Sequence, residues 1–202
     1  MKLYHCSRSR STRVLWLLEE LGLEYEAEML PFDARAFRLA DHFELESYGE
    51  LPLLVDDGHT MTESIAVVHY LLNRYGNGRL APDRDSDLYG PFLEWIEFGE
   101  SKLMDPLTQL IQHTALLPER ERDRGVAAQS RRVLEHFART IDAALAGKRH
   151  LLGDEFTAAD IVIGYALFLA ADFGALPEGL GNLTEYYERL RERPAFKLAT
   201  TS

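Results

Sequence analysis

The sequence predicts an α/β domain followed by an all-helical domain, and three observations carry that expectation. Short strand-like runs alternate with helix-like runs over the first third of the chain. A segment rich in Gly, Pro and Asp follows at residues 77–86. Beyond it the apolar spacing is helical to the end, with no further strand pattern. The 202 residues are 46% hydrophobic and 27% charged, enough apolar material for two small cores.

Residues 2–6 read as a short strand and residues 11–21 as a helix with Val14, Leu18 and Leu21 on one face. Gly22 supplies its C-terminal stop. Residues 24–30 alternate weakly as a second strand closed by Pro31, and residues 33–44 read as a polar helix. Leu51-Pro52-Leu53-Leu54-Val55, then Asp57-Gly58, then residues 59–62 form a β-hairpin pattern. Residues 63–75 follow as a helix with Ile65, Val68, Tyr70 and Leu72 apolar. The order β-α-β-α-β-β-α is that of a thioredoxin-like domain over residues 1–76.

Residues 77–86 are then a linker and residues 87–202 a C-terminal helical bundle domain, with helices near 87–115, 119–146, 157–172 and 182–192. Pro118-Glu119 suits the first turn of one of them. Thr157 and Asp160 resemble a capping box with Asp in place of Glu, and Phe156 and Ile161 occupy staple positions. Asp160 is structural on this reading.

The formal charge of −11 repels phosphate backbones and anionic membranes, so neither nucleic acid nor a membrane is expected as a partner. An anionic ligand needs positive charge concentrated locally. The single cysteine, Cys6, can form neither an internal disulfide nor a cysteine metal cage, which fits a reducing compartment. The opening MKLYHC shows no signal-peptide stretch and no run approaches the length of a membrane span, so the expected location is cytoplasmic. His113 and His136 have no partners at metal-ligand spacing, and no metal is expected.

The segments KLYHCSRSRSTRVLWLLEELGLEYE, LPLLVDDG, TESIAVVHYLLNRYG, FLEWIEFGESKLMDPL, LLGDEFTAADIVIGYAL and ERPAF, in this order and spacing, resemble the cytosolic glutathione transferase family over essentially the whole chain. The first helix is most similar to a bacterial and fungal subgroup with an SRxxRxLWLLEEL pattern. The resemblance implies the same two-domain plan, a homodimer, and glutathione as co-substrate with its sulfur held as thiolate. A free thiol is mostly protonated at neutral pH, and only the thiolate attacks; donors or positive charge beside the sulfur lower its pKa.

The resemblance places the sulfur-activating group in the loop after the first strand, here Ser7-Arg8-Ser9-Arg10-Ser11 at a helix N-terminus. Ser9 matches the subgroup's serine and is the first candidate. Ser9 or Ser11 serving as an ordinary helix cap is the alternative. Counting back from Val14, the serine or cysteine position of several classes falls on Arg8, the β-class cysteine on Arg10, and the tyrosine of other classes closest to His5. Arg8 and Arg10 are therefore candidates too. Cys6 lies two residues early for a thiol-transferase nucleophile and reads as a core residue.

Leu51-Pro52 resembles the family's cis-proline turn, where the residue before proline pairs its backbone with the glutathione cysteinyl backbone. Glu63-Ser64 resembles the γ-glutamyl-binding pair, Ser64 taking the carboxylate and Glu63 the ammonium; as bare sequence it is also a good helix start. Many relatives carry Lys or Arg where this chain has Glu50, so the glycyl carboxylate lacks that anchor unless Arg35, Arg38 or His42 substitutes. The electrophile pocket is expected near Trp95, Phe98 and Lys102, with Met104 beside them. The expected function is conjugation of glutathione to small hydrophobic electrophiles. Glutathione-dependent peroxide reduction or isomerisation, and a non-catalytic binding module, are the alternatives.

Overall fold

The computed structural model describes residues 1–31 and 50–201. The helix expected over residues 33–44, with Arg35, Arg38 and His42, lies outside the described residues. The chain divides into two compact units, Met1–Arg79 with Pro194–Ser202, and Leu80–Arg193.

The first unit is built on a four-stranded sheet of β1 (Lys2–His5), β2 (Glu26–Met29), β3 (Leu53–Asp56) and β4 (His59–Met61), in the order β2-β1-β3-β4. β1 is parallel to β2 and antiparallel to β3, and β3 is antiparallel to β4. Asp57 at φ 49° and Gly58 at φ 77° make the hairpin turn, two positive values as a right-twisted two-residue connection requires.

Between β1 and β2 runs α1 (Ser11–Leu21), ended as expected by Gly22 at φ 61°. The Gly22 N–H donates to Glu19 O and the Leu23 N–H to Leu18 O, a paired cap that satisfies two orphan carbonyls. The sequence shows one apolar face, yet every residue from Ser11 to Leu18 is buried. The reason is α8 (Pro194–Thr201), which packs on α1 with Phe196 edge-on to Trp16 at 4.9 Å between ring centroids. This short helix was not among the expected ones. α2 (Ser64–Tyr75) buries Val67, Val68 and Leu71, and its Tyr70 hydroxyl donates to Asp56 Oδ2 of β3 at 2.8 Å.

The second unit is helical. α3 (Tyr89–Phe98) continues through π-helical turns at Gly99–Met104 into α4 (Asp105–Ile111), and a further π turn follows at Gln112–Leu116. Pro118-Glu119 opens only a 3-10 turn, Glu119–Glu121. The long helix α5 (Arg124–Ala144) begins instead at Asp123, whose Oδ1 accepts the Gly125 and Val126 N–H groups at 2.7 and 3.1 Å. That carboxylate supplies the N-cap which Pro118 lacks a side-chain acceptor to provide.

α6 (Ala158–Asp172) is buried on nearly all sides. Its capping box is present: the Thr157 N–H donates to Asp160 Oδ2 at 2.8 Å. The fully buried Asp160 carboxylate also accepts the Thr157 hydroxyl at 3.1 Å, the Leu151 N–H at 3.0 Å and the Tyr186 hydroxyl at 2.9 Å. α7 (Gly181–Arg191) is started by Asp142 of α5, which accepts the Leu183 N–H at 2.9 Å.

Candidate functional site

Three segments of the first unit meet at one edge of its sheet. Tyr4 pairs with Leu53 in the antiparallel β1–β3 ladder, so the loop after β1 lies beside the residues that precede Leu53. Leu54 pairs with Met61 in the β3–β4 ladder, which brings the residues after Met61 to the same edge. Residues 6–10 with the start of α1, the Leu51-Pro52 peptide, and Glu63-Ser64 with the start of α2 are thereby gathered. Two helix N-termini at one edge bring their partial positive charge together, with the Ser11 and Thr12 N–H groups of α1 already taken by Ser9. This is the local attraction for an anion that a chain of charge −11 needs.

The Leu51-Pro52 bond is cis. Pro52 is buried, Leu51 half-buried and Glu50 exposed. No backbone hydrogen bond reaches Leu51 among the described residues. Glu63 sits at φ 49° and ψ 93°, a strained conformation for a residue with a Cβ. Ser64 is 3% exposed, and its hydroxyl takes no hydrogen bond among the described residues. Such a hydroxyl at a helix start is a ready donor to a carboxylate.

The β1–α1 loop turns sharply. Arg8 is exposed at φ 66°, and the Ser9 N–H donates back to Cys6 O at 3.1 Å. This reversal brings Ser9 and Ser11 hydroxyl oxygens to 2.6 Å, and Ser9 Oγ accepts the Ser11 N–H at 3.2 Å. Ser11 is fully buried, with its Oγ 2.7 Å from His5 Nδ1 and accepting the Cys6 N–H at 3.2 Å. Ser9 thus takes the first helical N–H from the position before the N-cap residue Arg10 and is half-buried, whereas Ser11 is wholly internal. Arg10 is half-buried beside them and makes no side-chain cap. The His5–Ser11 contact joins residues six apart through an irregular loop, and no periodicity in the sequence announces it.

Cys6 is 3% exposed, and burial pushes its thiol above the ordinary value. That is the opposite of an activated nucleophile. Tyr4 is a core residue.

In the second unit Trp95 and Phe98 stack edge-on at 5.2 Å, and Phe98 packs on Phe137 at 5.5 Å. Lys102 is exposed on the π-helical turn, whereas Met104 is 2% exposed and belongs to the core. Among the described residues no cluster of three or more His, Cys, Asp or Glu is placed to hold a metal ion.

Two family models match the chain: glutathione S-transferase, N-terminal domain, over residues 1–73, and glutathione S-transferase, C-terminal domain, over residues 121–189. Glutathione S-transferase GstB of Escherichia coli is 30% identical over 198 residues, covering 94% of this chain and 93% of that protein. Glutathione S-transferase 3 of Schizosaccharomyces pombe is 28% identical over 98% of this chain and 85% of its own length. Among solved structures, the bacterial transferase BphK in a ternary complex superposes with a TM-score of 0.85 at 26% identity, covering 100% of this chain and 98% of that one. A sphingomonad glutathione S-transferase complexed with glutathione gives a TM-score of 0.83 at 25% identity, with the same coverage.

Proposed function

This chain belongs to the glutathione S-transferase family, and from that premise we propose that it conjugates glutathione thiolate to small hydrophobic electrophiles. The observation that carries the reading is the meeting of two helix N-termini and a cis Leu51-Pro52 peptide at one sheet edge. Leu51 pairs with the cysteinyl backbone, with Pro52 fixing the turn. Ser64 and the first N–H groups of α2 take the γ-glutamyl carboxylate, and Glu63 takes its ammonium. The sulfur then lies at the start of α1, where the Ser9 hydroxyl donates to it and Arg8 and Arg10 add positive charge.

With the thiol proton released, the sulfur lone pair forms the new C–S bond and the electrophile's leaving group departs with its electron pair. Trp95, Phe98 and Lys102 are our candidates for the electrophile's surroundings. The same reading takes the protein as a cytoplasmic homodimer.

Retention on immobilised glutathione, followed by conjugation of an aryl halide, tests the proposal. We expect retention, and a loss in kcat/KM of about 10²-fold in Ser9→Ala, as removal of one donor to a developing or held anion produces. Arg8→Ala and Arg10→Ala are expected to lose less. A larger loss in either arginine variant would move the thiolate contact from Ser9 to that guanidinium. Absence of both retention and conjugation would leave only a non-catalytic module.

A further inference from the structure

Ser11 Oγ is a junction. It lies 2.7 Å from His5 Nδ1 and 2.6 Å from Ser9 Oγ, and it accepts the Cys6 N–H at 3.2 Å. The Cys6 carbonyl oxygen at 3.3 Å is the weaker alternative for its hydrogen. A hydroxyl has one hydrogen and two lone pairs. The Cys6 N–H occupies one lone pair, so of His5 and Ser9 one donates to Ser11 and the other accepts from it.

The two arrangements have opposite consequences at the outer end. With a proton on Nδ1, His5 donates to Ser11 and Ser11 donates to Ser9. Ser9 Oγ then accepts from both the Ser11 hydroxyl and the Ser11 N–H at 3.2 Å. Both its lone pairs are filled, and its own hydrogen is left to point outward. With Nδ1 bare, every hydroxyl reverses and Ser9 turns an outward lone pair toward its ligand, which repels a sulfur anion. His5 and Ser11 are each 0% exposed, so the chain is shielded from solvent that would otherwise reorient it.

We propose that His5, carrying its proton on Nδ1 and acting through Ser11, aims the Ser9 hydroxyl hydrogen at the glutathione sulfur. This rests on the thiolate reading of Ser9 above. His5 and Ser11 are positioning residues: neither touches the ligand, and their contribution is to make Ser9 a donor only.

Long-range nitrogen-15 spectra of the histidine rings, recorded on the unaltered protein with glutathione, read the tautomer directly. His5 is assigned by the signal lost in His5→Asn. We expect the Nδ1–H form; an Nε2–H form in the complex overturns the proposal whatever the variants do. The second arm titrates the ultraviolet thiolate band of bound glutathione. His5→Leu, Ser11→Ala and Ser9→Ala are each expected to raise the apparent thiol pKa by about one to two pH units. His5→Asn, whose amide N–H can replace Nδ1–H, is expected to retain most of the depression. If Ser9→Ala raises the thiol pKa while folded His5→Leu and Ser11→Ala do not, the relay is wrong and the Ser9 reading stands. If Ser9→Ala changes nothing, the Ser9 reading fails and takes the relay with it.

Discussion

Gly99 lies directly against Val162: a Cβ at position 99 would stand 2.5 Å from Val162 Cγ1. A methyl group cannot occupy that distance, and the branched Val162 side chain on the buried face of α6 has little freedom to yield. Gly99→Ala is expected to lower unfolding free energy by about 1–3 kcal/mol, measured from urea midpoints. Val162→Ala in the same background removes the clashing methyl and is expected to recover part of the loss.

Asp160 carries four hydrogen bonds with no exposure to water, from Thr157 twice, Leu151 and Tyr186. In all four bonds the carboxylate is the acceptor. Asp160→Asn replaces one accepting oxygen by a donating NH2, which faces a donor whichever way the amide is turned. We expect a loss of about 2–4 kcal/mol in unfolding free energy, with the isosteric shape preserved. A loss within measurement error would mean that the network is dispensable.

The pH dependence of stability follows from two groups beside that carboxylate. Burial holds the His150 imidazole below its ordinary value of 6.5, against the opposing pull of Asp160. The unfolded chain therefore takes up the proton first as pH falls through that value, and the contribution present above it is lost below. Burial, with the Asp160 carboxylate, pushes the Tyr186 hydroxyl well above 10.0. Here the unfolded chain ionises first, so the contribution is present below that value and lost as pH rises through it. Thermal midpoints are expected to be highest between these limits, and His150→Phe is expected to flatten the acid side.

Phe196 meets Trp16 edge-on at 4.9 Å and is 5% exposed, which makes α8 part of the first unit's core. Phe196→Ala is expected to cost about 3–5 kcal/mol and to change the near-ultraviolet signal of Trp16. An unaltered Trp16 signal would contradict that packing.

Glu50 is exposed beside the cis peptide, with the wrong sign for a carboxylate ligand. If the glycyl carboxylate lies there, Glu50→Lys is expected to lower KM for glutathione by about 3- to 10-fold with kcat nearly constant, the pattern of improved uniform binding. A KM that does not move would place the glycyl end elsewhere.

Much of the fold was legible because local chemistry agreed with the final packing. Val14, Leu18 and Leu21 at helical spacing before Gly22 define α1, and Asp57-Gly58 supplies the two positive φ values that the hairpin needs. α8 was not legible, since eight residues, Pro194–Thr201, are too few to establish a period and their partner Trp16 is far away in sequence. The start of α5 is not legible either, because Pro118-Glu119 has the composition of a first turn, whereas Asp123 supplies the cap. At the candidate site residue types could be named from the chain, but not the conformations that give them meaning. Glu63 at φ 49° and the His5–Ser11 contact both depend on how separate segments end at one sheet edge.

The most direct test of the account is the ionisation of glutathione bound to the unaltered protein, followed by thiolate absorbance as pH is raised. We expect an apparent thiol pKa well below the ordinary thiol value of about 8.5, lowered by Ser9 and the start of α1. Glutathione that binds but ionises as it does in free solution would contradict the claim that this site holds it as a thiolate.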